Sequence, residues 1–499
     1  MLFNSPLFLL VFLPAALAGF FLIAARSRVG AALFLGLASL VFYAVWNPRF
    51  VLLLLSSVVF NYVMGYAVGK ARSGRRAKVL LILAVTANLS LLGFFKYTDF
   101  FIGTVDALTG ASIPLAHIVL PLGISFFTFT QIAFLVDVSR GIATEYNFIH
   151  YLLFVTYFPH LIAGPVLHHK QMMPQFAAPA TYRFNVGLFT EGFSIFLIGL
   201  AKKVVLADSL AAFVSPLFDA VEGGSSVTFF EAWGAALAYT FQLYFDFSGY
   251  SDMAIGLSLL FGVRLPLNFA SPYKSLNIID FWRRWHMTLS QFLRDYLYLP
   301  LGGNRLGPIR RYVNLMITMM LGGLWHGASW TFVIWGTLHG LYLVGNHGWR
   351  SLWAGTTIRS TLPLPPPIAA LSIALTFLAV VIGWVIFRAK SLHGAVMILI
   401  GMAGQNGFVL PSAVAAIIPG LSRRVNVVGQ MPLLGGGTVM GVFEQACLIL
   451  LASILCFGLP NSQDMSKGLR LAAITVTIGF VIQAIFFGHA PSPFLYFQF

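Results

Sequence analysis

The chain has 499 residues, 59% of them hydrophobic and only 9% charged. A soluble domain is about 45–50% apolar and about 25% charged, and disorder needs low hydrophobicity with high charge, so both are excluded. Lys and Arg number 30 against 15 acids, a formal charge of +15. These cations sit between greasy segments, the pattern of a polytopic membrane protein with basic cytoplasmic loops rather than of a nucleic-acid binder. Cys447 and Cys456 share one apolar run, which argues against a disulfide scaffold.

A helix needs about 20 mostly apolar residues to span the hydrocarbon. In chain order the candidates are Pro6–Ala24, Val29–Trp46, Phe50–Val68, Val79–Phe95, Ile113–Val136, Tyr151–Pro165 and Asn185–Val205. Next comes Phe229–Leu260, long enough for a bent or broken helix, and Tyr312–Gly345, which reads as two pieces. Ile368–Phe387, Ala395–Met402 (too short to span alone), Met440–Gly458 and Leu471–Phe487 complete the set. The expectation is an all-α polytopic membrane protein, one membrane-embedded domain over 1–499 with roughly 10–12 transmembrane helices plus re-entrant or interfacial pieces. Pro363–Pro367 and Gly435–Gly437 read as loops. The first apolar run lacks a basic leader, since Arg26 and Arg28 follow it, so it does not read as a signal peptide. Positive charge places Arg26 and Arg28 in the cytoplasm, Asn47–Arg49 outside, and the Lys70–Lys78 loop inside again.

One segment departs from the lipid-facing pattern. Between Arg264 and Arg311 stand eight basic residues, including Arg283, Arg284 and Arg294, against Asp280 and Asp295. Within it, Trp282, Trp285 and Leu289 recur at helical spacing. This fits an amphipathic helix lying in the interface, with aromatics toward lipid. The sharper alternative is a basic vestibule for a phosphorylated ligand, since arginine forks match phosphate.

Ionisable residues inside a membrane are costly, and each is a functional hypothesis. His326 lies in Leu321-Gly-Gly-Leu-Trp-His-Gly-Ala-Ser-Trp330, where small residues allow close approach. An imidazole exchanges a proton near neutral pH, as a general base must; a histidine merely bonded between packed helices is the plainer alternative. His286 is the second candidate, with Arg283 and Ser290 on the same face if the segment is one helix. Asp246 and Asp252 need partners, structural bonding being the default, while Lys202 and Lys203 read as snorkelling. Glu444 has no evident partner, and His160 reads as packing or helix-end bonding. The adjacent His168 and His169 are a weak metal signal, and no metal site is assigned. No P-loop, dinucleotide fingerprint or nucleophile elbow is present in the sequence.

Several motifs in fixed order carry a resemblance. They are Pro121-Leu-Gly-Ile-Ser-Phe-Phe-Thr-Phe129, Phe158-Pro-His-Leu-Ile-Ala-Gly-Pro165 and Phe245-Asp-Phe-Ser-Gly-Tyr-Ser-Asp-Met-Ala-Ile-Gly256. Then follow Asn268-Phe-Ala-Ser-Pro-Tyr273, Phe281-Trp-Arg-Arg-Trp-His286, Tyr298-Leu-Pro-Leu-Gly-Gly-Asn304, Gly323-Leu-Trp-His-Gly327 and the ending Phe494-Leu-Tyr-Phe-Gln-Phe499. Over most of its length the chain resembles the membrane-bound O-acyltransferase family, and within it the bacterial alginate O-acetylation branch. The resemblance implies a ring of tilted helices around a thin, funnelled centre, with donor and acceptor approaching from opposite faces. It implies His326 as the catalytic histidine and His286 as the second, with Asp246 and Trp325 in support. Arg283, Arg284 and Arg294 would hold the phosphates of a thioester donor, acetyl-CoA, with no permanently bound cofactor.

By the same resemblance the chain sits in a bacterial inner membrane among lipids. It moves an acetyl group toward an extracytoplasmic polysaccharide such as alginate or another exopolysaccharide, and hands it to a separate periplasmic acetyltransferase. Nucleic acid is not a partner. Two alternatives stay open: D-alanyl transfer from a carrier protein, and a transporter or flippase for a lipid-linked glycan.

Overall fold

In hydrocarbon every backbone N–H and C=O has to be paired within its own segment, which leaves helices as the natural solution for so apolar a chain. The computed structural model accordingly contains helices and, among the described residues, a single short strand pair. The structure describes residues 1–71, 74–144, 147–352, 365–412, 415, 426–428, 431, 433–486 and 493–495.

The first four helices are α1 (Leu13–Ala24), α2 (Arg28–Ala44), α3 (Arg49–Lys70) and α4 (Arg75–Thr109). After an irregular stretch come α5 (Ile124–Ser139), α6 (Phe148–Thr156), α7 (His169–Ala177) and α8 (Val186–Ala201), the last continuing through a wide turn into α9 (Asp208–Ala211) and α10 (Ser215–Glu222). The central helix α11 (Phe229–Leu260) opens on a reciprocal cap between Thr228 and Glu231. Then follow α12 (Ile278–Arg284), α13 (Met287–Leu293), α14 (Gly307–His326), α15 (Trp330–Leu352), α16 (Pro366–Arg388) and α17 (Leu392–Met402). Strands β1 (Val409–Pro411) and β2 (Asn426–Val428) pair in parallel, and α18 (Val439–Gly458) and α19 (Lys467–Phe486) complete the described chain. Among the described residues, six stretches are long and apolar enough to cross a bilayer: α3, α4, Val186–Glu222, α16, α18 and α19. Shorter apolar helices at Phe8–Ala24, Arg28–Ala44, Ile124–Ser139 and Leu392–Met402 pack among them.

Local chemistry explains where helices start and stop. The expected span Ile113–Val136 begins only at Ile124, because Pro121 and a left-handed Gly123 (φ 72°) precede it. The run Tyr151–Pro165 stops at Thr156, just before the Phe158–Pro159 pair, and continues as turns. Tyr312–Gly345 does divide, into α14 and α15. Of the Pro363–Pro367 stretch, 363–364 lie outside the described residues and α16 starts at Pro366. Gly435–Gly437 is a tight turn with φ positive at all three glycines.

Phe229–Leu260 is not broken: it is one helix of 32 residues, about 48 Å long. From Ala238 onward its side chains are buried. Its glycines serve a close approach. A Cβ on Gly256 would stand 2.5 Å from the Gly192 carbonyl oxygen, and one on Gly199 would stand 2.6 Å from that of Gly249. Small residues facing one another let α8 and α11 meet backbone to backbone.

The interfacial helix also requires correction. Residues 279–297 are not one helix: α12 ends at Arg284 and α13 begins at Met287. Trp285 and Leu289 are each 1% exposed and point into the protein, not toward lipid. Arg283, His286 and Ser290 therefore share no helical face.

Chain direction separates two faces of the molecule. One carries Arg26 and Arg28, between α1 and α2, then Lys70, Arg75 and, at the end of α5, Arg140. The opposite one carries Val45 and Trp46, at the end of α2, and the start of α5.

Candidate active site

His326 is the last residue of α14, and Gly327 turns the chain into an extended conformation directly after it. A β-carbon at Gly327 would collide with the Phe332 ring, and one at Gly323 with the Phe332 carbonyl, so only glycine lets α14 and α15 close this tightly. The imidazole is 4% exposed. It sits edge-on to Trp335 (ring centroids 5.2 Å, 90°), 5.4 Å from Phe387 and 5.0 Å from Trp325. This aromatic wall excludes water from the groups it surrounds.

His286 occupies the junction between α12 and α13 with φ 43°. A left-handed conformation costs an L-residue on the order of 1 kcal/mol and persists only where neighbours over-determine it. Here Asn268 does so. Its Oδ1 lies 3.1 Å from His286 Nδ1 and accepts from Thr288 Oγ1 at 2.9 Å, while its backbone oxygen accepts from Met287 N at 3.0 Å. Its own Nδ2 donates to Ser251 Oγ of α11 at 3.3 Å. The helix breaks at His286 because this buried amide holds both sides of the break. Phe247 then packs edge-on at 4.8 Å.

The junction brings the two histidines together. Their ring centroids are 6.3 Å apart, too far for a direct bond between ring nitrogens and suited to one oxygen atom between them.

His326 also lines a cavity of about 520 Å³ with Lys96, Gly123, Ser125, Trp325 and Trp46. Val45 and Trp46 are exposed, so the cavity opens on the face away from Arg26 and Arg28. Lys96 was not foreseen as a site residue. Its Nζ donates to the backbone oxygens of Trp325 (2.6 Å) and His326 (3.3 Å) and to Ser125 Oγ (3.4 Å).

The carboxylates are explained by pairing. Asp246 Oδ1 accepts from Lys203 Nζ at 2.7 Å, both side chains 2% exposed, and its Oδ2 accepts from Leu495 N at 3.0 Å. Asp252 accepts from Lys202 Nζ (2.7 Å), Ser462 Oγ (2.6 Å) and Gln463 Nε2 (3.1 Å). Lys202 and Lys203 thus face inward as partners rather than snorkelling. Breaking such a buried pair costs about 3–5 kcal/mol. Asp246 meets neither histidine; it fixes the segment Pro493–Leu495, and Pro493 lines the cavity. Residues 496–499 of the motif ending lie outside the described residues.

The three arginines stand apart from the cavity. Arg283 and Arg294 are exposed; Arg294 pairs with Asp295 (2.7 Å) and Arg284 with Asp280 (3.0 Å). Arg140, at the far end of α5 from the cavity, reaches the Asp295 carbonyl oxygen at 3.5 Å, which puts Arg294 on the basic face. His168 and His169 have separate partners, Tyr296 Oη at 3.0 Å and Asp137 Oδ2 at 3.2 Å. His160 is buried beside Tyr157, as packing would have it.

Comparison with known proteins decides the family. The model of the MBOAT, membrane-bound O-acyltransferase family, matches residues 117–384, a stretch holding both histidines, Asn268 and Asp246. The chain belongs to the membrane-bound O-acyltransferase family. It is 41% identical to a peptidoglycan O-acetyltransferase of Helicobacter pylori, over 100% of this chain and 98% of the relative. It is 46% identical to a probable alginate O-acetylase AlgI of Pseudomonas aeruginosa, over 79% of this chain and 73% of the relative. A teichoic acid D-alanyltransferase of Streptococcus thermophilus is 29% identical over 53% of this chain and 68% of the relative.

This membrane-bound O-acyltransferase is therefore an acyltransferase and a multi-pass membrane protein. Two residues of its site escaped the sequence. Asn268 stood inside a recognised motif without a role, because only the fold shows that it holds the break at His286. Lys96 stood at the edge of an apolar run, where a snorkelling lysine looks the same.

Proposed function

We propose that the chain transfers an acetyl group from a thioester donor on the cytoplasmic face, acetyl-CoA, toward a polysaccharide hydroxyl outside the inner membrane. The observation that carries this is the pair His326 and His286, buried beside each other, with His326 lining a cavity that opens away from the basic face. Positive residues mark the cytoplasmic side, so the cavity opens outward and a donor arriving from the basic face would meet the histidines from the other side.

A thioester is already activated. His326 takes the proton of the attacking hydroxyl as its oxygen bonds to the carbonyl carbon; the C–S bond then breaks, and the imidazolium returns the proton to the thiolate. The products are an ester and a free thiol. Proton transfer of this kind contributes about 10²–10⁴-fold. His286, its ring fixed by Asn268, aligns the reacting oxygen between the two rings. Trp325, Trp335 and Phe387 keep water from the thioester. Arg283, Arg284 and Arg294 supply the donor's phosphate contacts. An exposed ion pair is worth about 0–1 kcal/mol, so Arg284 and Arg294 exchange their carboxylates for phosphate at little cost.

Acetyl is favoured over D-alanyl because the acetylating relatives are 41% and 46% identical, against 29% for the D-alanylating one. The polysaccharide acceptor follows from the same two names. We further propose that a periplasmic acetyltransferase completes transfer to the glycan. Purified protein in proteoliposomes, given labelled acetyl-CoA on the Arg28 side, should release CoA and acetylate polysaccharide only when such a partner is added. Acetylated polysaccharide without a second protein would remove the partner from the scheme, and no CoA release under any condition would contradict the donor.

A further inference from the structure

An α-helix ends with its last carbonyls unpaired. In α14 these belong to the residues that present His326, and the extended Gly327 does not turn back to cap them. The cap comes from α4, more than two hundred positions earlier in the chain. Tyr97 Oη donates to the Leu324 oxygen at 2.9 Å. Lys96 Nζ donates to the Trp325 oxygen at 2.6 Å and to the His326 oxygen at 3.3 Å. Two adjacent side chains of one helix thus hold three consecutive carbonyls at the end of another.

An ammonium has three N–H donors. The third from Lys96 meets Ser125 Oγ at 3.4 Å, so none is left over for a substrate even though the side chain lines the cavity. Nζ also lies 5.9 Å from the centre of the Trp325 ring, part of the wall around His326. Donor count and placement direct Lys96 toward the end of α14 and away from the ligand.

We propose that Lys96, seconded by Tyr97, is a positioning residue: it fixes the last peptide groups of α14 and thereby aims the His326 imidazole into the cavity. This rests on the reading of His326 as the base. Because Lys96 acts through His326 and not on the donor, its loss lowers turnover and leaves donor binding alone. A misplacement of about 1 Å costs up to about 10²-fold in rate.

The test is acetyl-CoA turnover in proteoliposomes, supplied with the periplasmic acetyltransferase and polysaccharide, by Lys96→Ala, Lys96→Arg and His326→Ala. For Lys96→Ala, kcat should fall about 10- to 100-fold with KM for acetyl-CoA unchanged. Lys96→Arg, which keeps a cation and its donors, should recover most of the loss. Added ethylamine should rescue Lys96→Ala through the cavity in a saturable way, which a general folding defect would not allow. Wild-type kcat in Lys96→Ala, or an effect confined to KM, would overturn the proposal. If Lys96→Ala does not insert, Lys96→Met and Tyr97→Phe decide by the same split: reduced kcat at constant KM supports the positioning role, and unchanged kcat in both overturns it. Full activity of His326→Ala would instead sink the reading of the base itself, so the two failures are separable.

Discussion

At the scale of the residue, Asn268 organises more of the site than its position in the sequence suggests. One buried amide side chain reaches His286, Thr288 and Ser251, and thereby ties the α12–α13 break to α11. Asn268→Ala leaves these groups without their partner, at about 1–3 kcal/mol for a buried polar group. It also releases His286 from its left-handed conformation. The expected outcome is a lower melting temperature in detergent together with reduced acyl transfer; Asn268→Asp, which keeps the acceptor oxygen, should retain more of both. Melting temperature and turnover equal to wild type in Asn268→Ala would show that the junction holds itself.

The two histidines were legible as residues because a costly group in an apolar run invites a functional reading. Their adjacency was not legible, since they are 40 positions apart and meet only through a helix break that helical spacing conceals. The same blindness produced the expectation of a lipid-facing amphipathic helix. Aromatic periodicity looks alike whether Trp285 faces lipid or the core, and here it is buried.

At the scale of the element, glycine does two different jobs. Gly249 and Gly256 of α11 form the contact with Gly199 and Gly192 of α8. Gly327 stands at the division between α14 and α15. The difference lies in the neighbour: a glycine facing another helix closes a gap, and a glycine at a helix end releases the chain. Gly256→Ala should therefore destabilise, since its new methyl meets the Gly192 carbonyl oxygen at 2.5 Å, and forced overpacking costs about 1–3 kcal/mol. Gly93→Ala in α4, with nothing within 4 Å of the added carbon, should hold or raise the melting temperature because alanine favours helix. Thermal unfolding of both variants in one detergent checks the contrast; equal shifts would mean that the α8–α11 contact is not tight.

At the scale of the whole molecule, the division of faces gives the site its direction. Arginines gather at one face, the cavity opens at the other, and His326 lies within, at its inner wall. The all-α membrane architecture could be read from composition, because few structures other than helices suit a chain 59% hydrophobic. The cavity could not, since it is lined by parts as distant as Met1, Lys96, Trp325 and Pro493. No local pattern signals such an assembly. The acceptor glycan is equally invisible in the motifs, which describe the transfer of the acyl group and not the sugar that receives it.

The most direct measurement compares wild type with His326→Ala in proteoliposomes supplied with labelled acetyl-CoA and a periplasmic acetyltransferase, insertion of both proteins being checked by their melting curves. Loss of the base should reduce acyl transfer about 10²–10⁴-fold while the variant remains folded in the membrane. Acyl transfer at the wild-type rate by a correctly inserted His326→Ala protein would contradict the assignment of this histidine and the mechanism built on it.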